Sequence, residues 1–223
     1  MIAINNLHFR SLAIDALSLG PGITSVIGPN GSGKTTFLKL CAGITVPQSG
    51  SIHIDGLGPR QAEIGWVNEY PDRNILFETV FDEIASSLSF HHVPCLETTT
   101  RVNDCMRSMG IGHLRSKPIR NLSGGEKVLV AFASALVCKP KVLVLDECDS
   151  HLDANRSREV SALMRTCGVP YVLRCTQQME TAAADDYLIY FENGAVRHCG
   201  SPEDVFSSLA TTPFYPLSWR CHV

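Results

Sequence analysis

The sequence predicts an α/β fold with a mainly parallel central sheet, and three observations carry that prediction. Apolar runs at residues 23–27, 142–145 and 171–173 are short, as in strands buried on both faces. Longer stretches at 80–90, 100–109 and 154–166 suit helices. A glycine-rich loop follows the first of these strands and opens a helix. Alternating strands and helices are the pattern of a parallel sheet covered by helices.

In chain order, Ile2, Ile4, Leu7 and Phe9 alternate and read as strands. Residues 23–27 lie between Pro21-Gly22 and Gly28-Pro29, turn signals that bound a strand. A helix is expected from 34 to about 42, with Phe37, Leu38 and Leu40 inward and Gly43 as its stop. Residues 50–54 alternate again and end at the Asp55-Gly56 turn signal. From about 70 to 120 the character becomes helical, as in an inserted subdomain. Residues 187–191 and 195–199 flank Asn193-Gly194, a hairpin signal.

A chain of 223 residues fits one domain able to bury a full core. With 44% hydrophobic and 18% charged residues it reads as soluble and globular. The formal net charge of -3 gives no basic excess, so no nucleic-acid partner is expected. The first ten residues lack the pattern of a signal peptide. The longest nearly apolar stretch, 128–138, is shorter than the roughly 20 residues needed to span a bilayer. The nine cysteines form no Cys-x-x-Cys pair and read as free, mostly buried thiols. His91-His92 has no partner ligands at metal spacing and reads as a solvated loop.

Gly28-Pro29-Asn30-Gly31-Ser32-Gly33-Lys34-Thr35-Thr36 satisfies the pattern G-x-x-x-x-G-K-[ST]. Glycines let the backbone wrap phosphates and take positive φ. The N–H groups then face the anion at a helix N-terminus, where the helix dipole adds positive potential. In this pattern Lys34 reaches the β- and γ-phosphates and the Thr35 hydroxyl ligates Mg²⁺. The expected ligand is a nucleoside triphosphate, ATP with Mg²⁺. Downstream, the apolar run 142–145 ends in Asp146-Glu147. Carboxylates at the C-terminal end of a parallel strand sit where α/β proteins bind ligands. Asp146 is placed to hold the Mg²⁺ shell, and Glu147 to orient or deprotonate the attacking water.

Asn121-Leu122-Ser123-Gly124-Gly125-Glu126 resembles the signature sequence of ABC-type ATPases, whose usual form is L-S-G-G-Q. Ser123 and the N–H groups of Gly124 and Gly125 would make a second anion cradle at a helix start. Ser150-His151-Leu152-Asp153 matches the family's D-loop, and Gly200-Ser201-Pro202-Glu203-Asp204-Val205-Phe206 its usual ending in importers. Glu69-Tyr70-Pro71-Asp72, followed by residues 76–85, resembles the energy-coupling-factor ATPases that drive uptake of vitamins and of cobalt or nickel ions.

The resemblance implies a phosphate-loop NTPase of ABC type, with antiparallel N-terminal strands beside the parallel sheet. Residues 1–69 and 126–223 would be the nucleotide-binding core and about 70–125 the helical subdomain. It implies a head-to-tail dimer with a second ABC ATPase chain, the same or homologous, in which Ser123 to Glu126 cover the γ-phosphate bound by the other chain. It also implies integral membrane subunits docked on residues 69–85 and a peripheral place at the cytoplasmic face of the membrane. A soluble non-transport ABC protein is the alternative, although the chain has neither a long coiled-coil insertion nor a second ATPase unit.

Several positions depart from the family pattern. Glu69 stands where the family has a Gln that touches Mg²⁺ and the water. Gln177 stands at the switch His, Cys148 at a common Pro, and Val128-Leu129 at a Gln-Arg pair. Gln donates a hydrogen bond but carries no positive charge, and a carboxylate at 69 accepts but does not donate. Glu69 and Gln177 flank one γ-phosphate in the family, which implies slow hydrolysis, or in the extreme a mainly structural partner in a heterodimer. The aromatic that stacks on adenine falls at Ser11, which cannot stack; Phe9 is nearest, and its alternation points to the core. Base selectivity is therefore expected to be weak. ATP and GTP dissociation constants measured by titration calorimetry should agree to within about tenfold, the effect of about 1.4 kcal/mol, and a much larger preference for ATP would contradict this.

Overall fold

The computed structural model describes residues 1–70, 75–150 and 152–220. Pro71, Asp72 and His151 of the motifs above lie outside the described residues. The strands are β1 (Ile2–Phe9), β2 (Leu12–Leu19), β3 (Gly22–Ile27), β4 (Ser49–Ile54), β5 (Ile64–Val67), β6 (Val142–Asp146), β7 (Tyr171–Cys175), β8 (Tyr187–Glu192) and β9 (Ala195–Gly200). The helices are α1 (Lys34–Cys41), α2 (Val80–Phe90), α3 (Cys95–Ser108), α4 (Gly124–Leu136), α5 (Ala154–Thr166), α6 (Met179–Ala182), α7 (Pro202–Leu209) and α8 (Leu217–Arg220).

The strands form one nine-stranded sheet in the order β4-β1-β2-β9-β8-β3-β7-β6-β5. From β8 to β5 every pairing is parallel, whereas β1 pairs antiparallel with β2 and β4. This is the α/β sheet with antiparallel N-terminal strands that the motifs imply. The apolar runs are strands because both faces are covered. Leu143 and Leu145 of β6 pack with α2 to α5 on one face, while Val142 and Val144 pack with Phe37 and Leu38 of α1 on the other.

Local boundaries follow from residue chemistry. Gly43, at φ 68, ends the turn after α1. Asn193 and Gly194, both at positive φ, turn β8 into β9 as the hairpin signal predicts. The Gly194 N–H donates to Ser32 O at 3.0 Å, so the hairpin turn braces the phosphate loop.

The helix expected over 100–109 begins earlier, at Cys95 after Pro94. A run of threonines discourages a helical reading by propensity. Here the Thr99 and Thr100 hydroxyls donate to carbonyls four residues back, and Thr98, Val102 and Met106 make a buried stripe. The apolar stretch 128–138 is largely α4, and among the described residues no helix is long and apolar enough to cross a membrane.

Candidate nucleotide-binding site

The phosphate loop lies between β3 and α1 at the C-terminal edge of the parallel strands. Gly28 is required by its contacts. Its φ is 140, and a Cβ there would fall 2.1 Å from the Phe191 carbonyl oxygen. Lys34 is 5% exposed, and its Nζ donates to Gly28 O at 2.9 Å and Pro29 O at 3.1 Å. The ammonium is thus drawn over its own loop. Gly33 caps α1 without a side-chain hydrogen bond, and the first turn carries no acidic residue. The helix start is left open to an anion. Ser32 Oγ is buried without a hydrogen-bond partner among the described residues. Buried polar groups are rarely left unpaired, and an orphan in a phosphate loop marks a place for a ligand oxygen.

Facing the loop, Thr35 Oγ1 donates to Asp146 Oδ1 at 3.0 Å. A hydroxyl and a carboxylate at that separation are a hard-oxygen donor set suited to Mg²⁺. Asp146 is 8% exposed. Burial, with the Glu147 and Glu69 charges, pushes its carboxyl above the usual range, partly offset by the Thr35 hydrogen bond and by Lys39. Loop, carboxylates and Glu69 line one cleft of about 520 Å³.

Glu147 sits at φ 51, a left-handed conformation uncommon for a side-chain-bearing residue outside functional turns. Its N–H donates to Cys175 O at 3.1 Å, which ties the turn to β7. Lys34 Nζ lies 3.9 Å from its Oε1. Gln177 Nε2 donates to both Glu147 oxygens at 3.2 Å and to Asn30 Oδ1 at 3.0 Å. Asn30, Glu147 and Gln177 therefore meet across three segments distant in sequence.

The signature segment lies elsewhere. Ser123 caps α4, its Oγ accepting from Glu126 N at 3.3 Å, while Glu126 Oε2 accepts from Ser123 N at 2.8 Å. That reciprocal pair holds the helix start, and its bond from the Ser123 N–H is the first cause of a Glu126 carboxyl below the usual range. A Cβ on Gly124 would meet nothing within 4 Å, whereas one on Gly125 would touch the Arg156 side chain at 3.3 Å. Ser123, Gly124, Gly125 and Glu126 do not line the cleft. Pro29 and Thr36 lie in the loop and the first turn of α1, and Thr36 lines the cleft with Gly31, Gly33 and Lys34. Ser11 is exposed at its mouth. Phe9 packs partly against the core, as its alternation predicts, yet its ring also lines the cleft, with the Arg10 guanidinium 5.3 Å from its centre.

Sequence reasoning missed a buried charge cluster beneath the site. Arg174, in the apolar strand β7, is 2% exposed and lies 3.1 Å from Asp185 Oδ2 and 3.2 Å from Ser25 Oγ. Asp149 accepts from Thr176 Oγ1 at 3.3 Å, and Gln178 Nε2 donates to Asp149 O at 3.4 Å. Burial holds the Asp149 and Asp185 carboxyls above the usual range, with Arg174 opposing. The cluster joins the turn after Glu147 to the segment that carries Gln177. An Arg inside an otherwise apolar run was the available signal.

Together these features define a phosphate-loop nucleotide-binding protein with a second, separate helix-start motif. Residues 16–150 match the family model described as ABC transporter. The chain belongs to the ABC transporter family, as an ATP-binding member. It is 35% identical over 193 residues to the energy-coupling factor transporter ATP-binding protein EcfA1 of Ureaplasma parvum, covering 82% of this chain and 66% of that one. With EcfA1 of Streptococcus pyogenes it shares 32% over 193 residues, covering 82% and 69%. The chain thus spans about two thirds of the length of these relatives. The solved structure of cbiO1 from Clostridium perfringens, part of the ABC transporter complex cbiONQ, superimposes with a TM-score of 0.84 at 27% identity, covering 94% of this chain and 92% of that one.

The raised Asp146 carboxyl has a stability consequence. A native pKa above the unfolded value means the ionised form is disfavoured by folding, so this group's contribution favours the fold at low pH and is lost as pH rises toward neutrality. At neutral pH, Asp146→Asn should therefore raise the melting temperature of the nucleotide-free protein, by about 2–4 °C per kcal/mol relieved. The same variant should lose the part of ATP stabilisation that depends on Mg²⁺. Melts with and without Mg²⁺ and ATP check both signs.

Proposed function

We propose that the chain is the ATP-hydrolysing subunit of a membrane importer of the energy-coupling-factor type, acting head to tail with a second ABC ATPase chain. The observation that carries this reading is the separation of the two anion-binding elements. Lys34 and the open start of α1 line the cleft, whereas Ser123 and the start of α4 do not. A cradle that lies outside its own cleft has a use when a second chain supplies the nucleotide.

In this reading Lys34 and the loop amides hold the β- and γ-phosphates. Thr35 and Asp146 hold Mg²⁺, with Glu69 beside them. Bound there, Mg²⁺ neutralises charge on the phosphate oxygens and relieves the clustered carboxylates. Glu147 accepts the proton of the attacking water as that oxygen bonds to the γ-phosphorus and the bond to the β-phosphate oxygen breaks. Gln177 aims the Glu147 carboxylate and pins it to Asn30. Residues 69–85 supply the docking surface for membrane subunits, supported by Leu76 at 75% and Phe77 at 40% exposure. Exposed apolar residues of this size clustered in one segment mark interaction sites.

Purification from native membranes in mild detergent should recover the chain with integral membrane proteins and a second ATPase chain. Recovery of the chain alone would sink the importer reading. A second reading, a weakly hydrolysing partner in a heterodimer, is favoured by the Gln177 amide lying on both Glu147 oxygens. If Gln177 slows turnover, Gln177→His should raise the steady-state ATPase rate of the purified complex severalfold. An unchanged or lower rate would overturn the idea that Gln177 slows turnover.

A further inference from the structure

The fold brings together three side chains that sequence spacing keeps far apart. Glu63 precedes the edge strand β5, His91 caps the C-terminus of α2, and Cys138 follows the C-terminus of α4. One ligand atom from each lies within 4.8 Å of the others, and His91 Nε2 is 3.2 Å from Glu63 Oε1. We propose that Glu63, His91 and Cys138 form a site for a borderline divalent ion of the zinc, cobalt and nickel class, which fastens the sheet edge to α2 and α4.

The donor set selects the ion. Imidazole and thiolate favour such ions over Mg²⁺ or Ca²⁺, and one carboxylate completes a three-ligand set with an open fourth position. Bonds of about 2.0–2.3 Å require the three atoms to draw somewhat closer than they stand. His91 and Glu63 are 51% and 39% exposed, so their side chains have room to make that move.

The surroundings favour a cation independently of the ligands. Two helix C-termini converge here, and neither α2 nor α4 carries a basic residue in its last turn. The negative ends of both helix dipoles therefore lie at the site. Arg101, the cation that acts on Cys138, is itself paired with Glu97. The three residues also line a cavity of about 470 Å³ that gives an ion a path in. Ser134 lines it too, and its Oγ is buried without a partner among the described residues. That hydroxyl offers a further polar group in the same cavity.

Nucleotide-free protein in excess Mg²⁺ is titrated with Co²⁺, so that hard-oxygen sites are already filled. The expected result is one equivalent bound, with near-ultraviolet sulfur-to-cobalt absorption that Zn²⁺ abolishes. Cys138→Ser should remove the absorption, and His91→Ala should weaken Zn²⁺ binding by at least about tenfold. Both variants should keep wild-type ATP affinity. Absence of Co²⁺ binding, or absorption that survives in Cys138→Ser, overturns the proposal. Should Cys138→Ser fail to fold, His91→Ala decides alone, because unchanged Zn²⁺ affinity there also overturns it.

Discussion

The Lys34 ammonium, buried and bonded to the carbonyls of Gly28 and Pro29, is the interaction on which the rest of the molecule is arranged. A buried cation is tolerated where oxygens surround it. The loop must therefore curl tightly, and Gly28 must press against the Phe191 carbonyl where no Cβ fits. Because β3 pairs with β7 and β8, and β7 with β6, the same edge of the sheet presents Asp146, Glu147 and Gln177 to that cation. The hairpin turn at Gly194 then closes on Ser32 from the other side.

The negative side of the site is held against its own repulsion. Asp146 is buried beside Glu147 and Glu69, and burial with those charges holds its carboxyl above the usual range. Thr35 offsets part of it with one hydrogen bond. A site so arranged is better suited to a divalent cation with phosphate than to remaining empty. Strain at Glu147 belongs to the same economy: a left-handed backbone turns its carboxylate toward Lys34 and Gln177. Beneath it, Arg174 lets the turn after Glu147 and the segment bearing Gln177 share one buried polar cluster. A hydrogen bond from Thr176 to Asp149 joins the two directly.

Much of this was legible in the residues. The phosphate loop announces itself because its glycines, Lys34 and Thr35 act through spacing along one short segment. The strands of the parallel sheet read as mainly apolar runs because burial on both faces favours apolar residues. The threonine-rich start of α3 was not legible, since hydroxyl bonds to the preceding turn and a buried stripe outweigh a weak propensity. Arg174 gave a signal, a charge within an apolar strand, but its partners Asp185 and Ser25 lie far away in sequence.

By itself, then, the sequence determined the chemistry carried by contiguous segments: the loop that wraps phosphate, the helix start at Ser123, and the hairpin at Asn193-Gly194. These depend on backbone geometry within a few residues, which local side chains dictate. The tertiary structure alone decided which segments face one another. It set Gln177 on Glu147 and Asn30, brought Phe9 to the cleft, left the Ser123 cradle out of it, and gathered Glu63, His91 and Cys138 at the sheet edge. Those meetings come from strand order and helix packing, which the whole hydrophobic core selects and no single segment records.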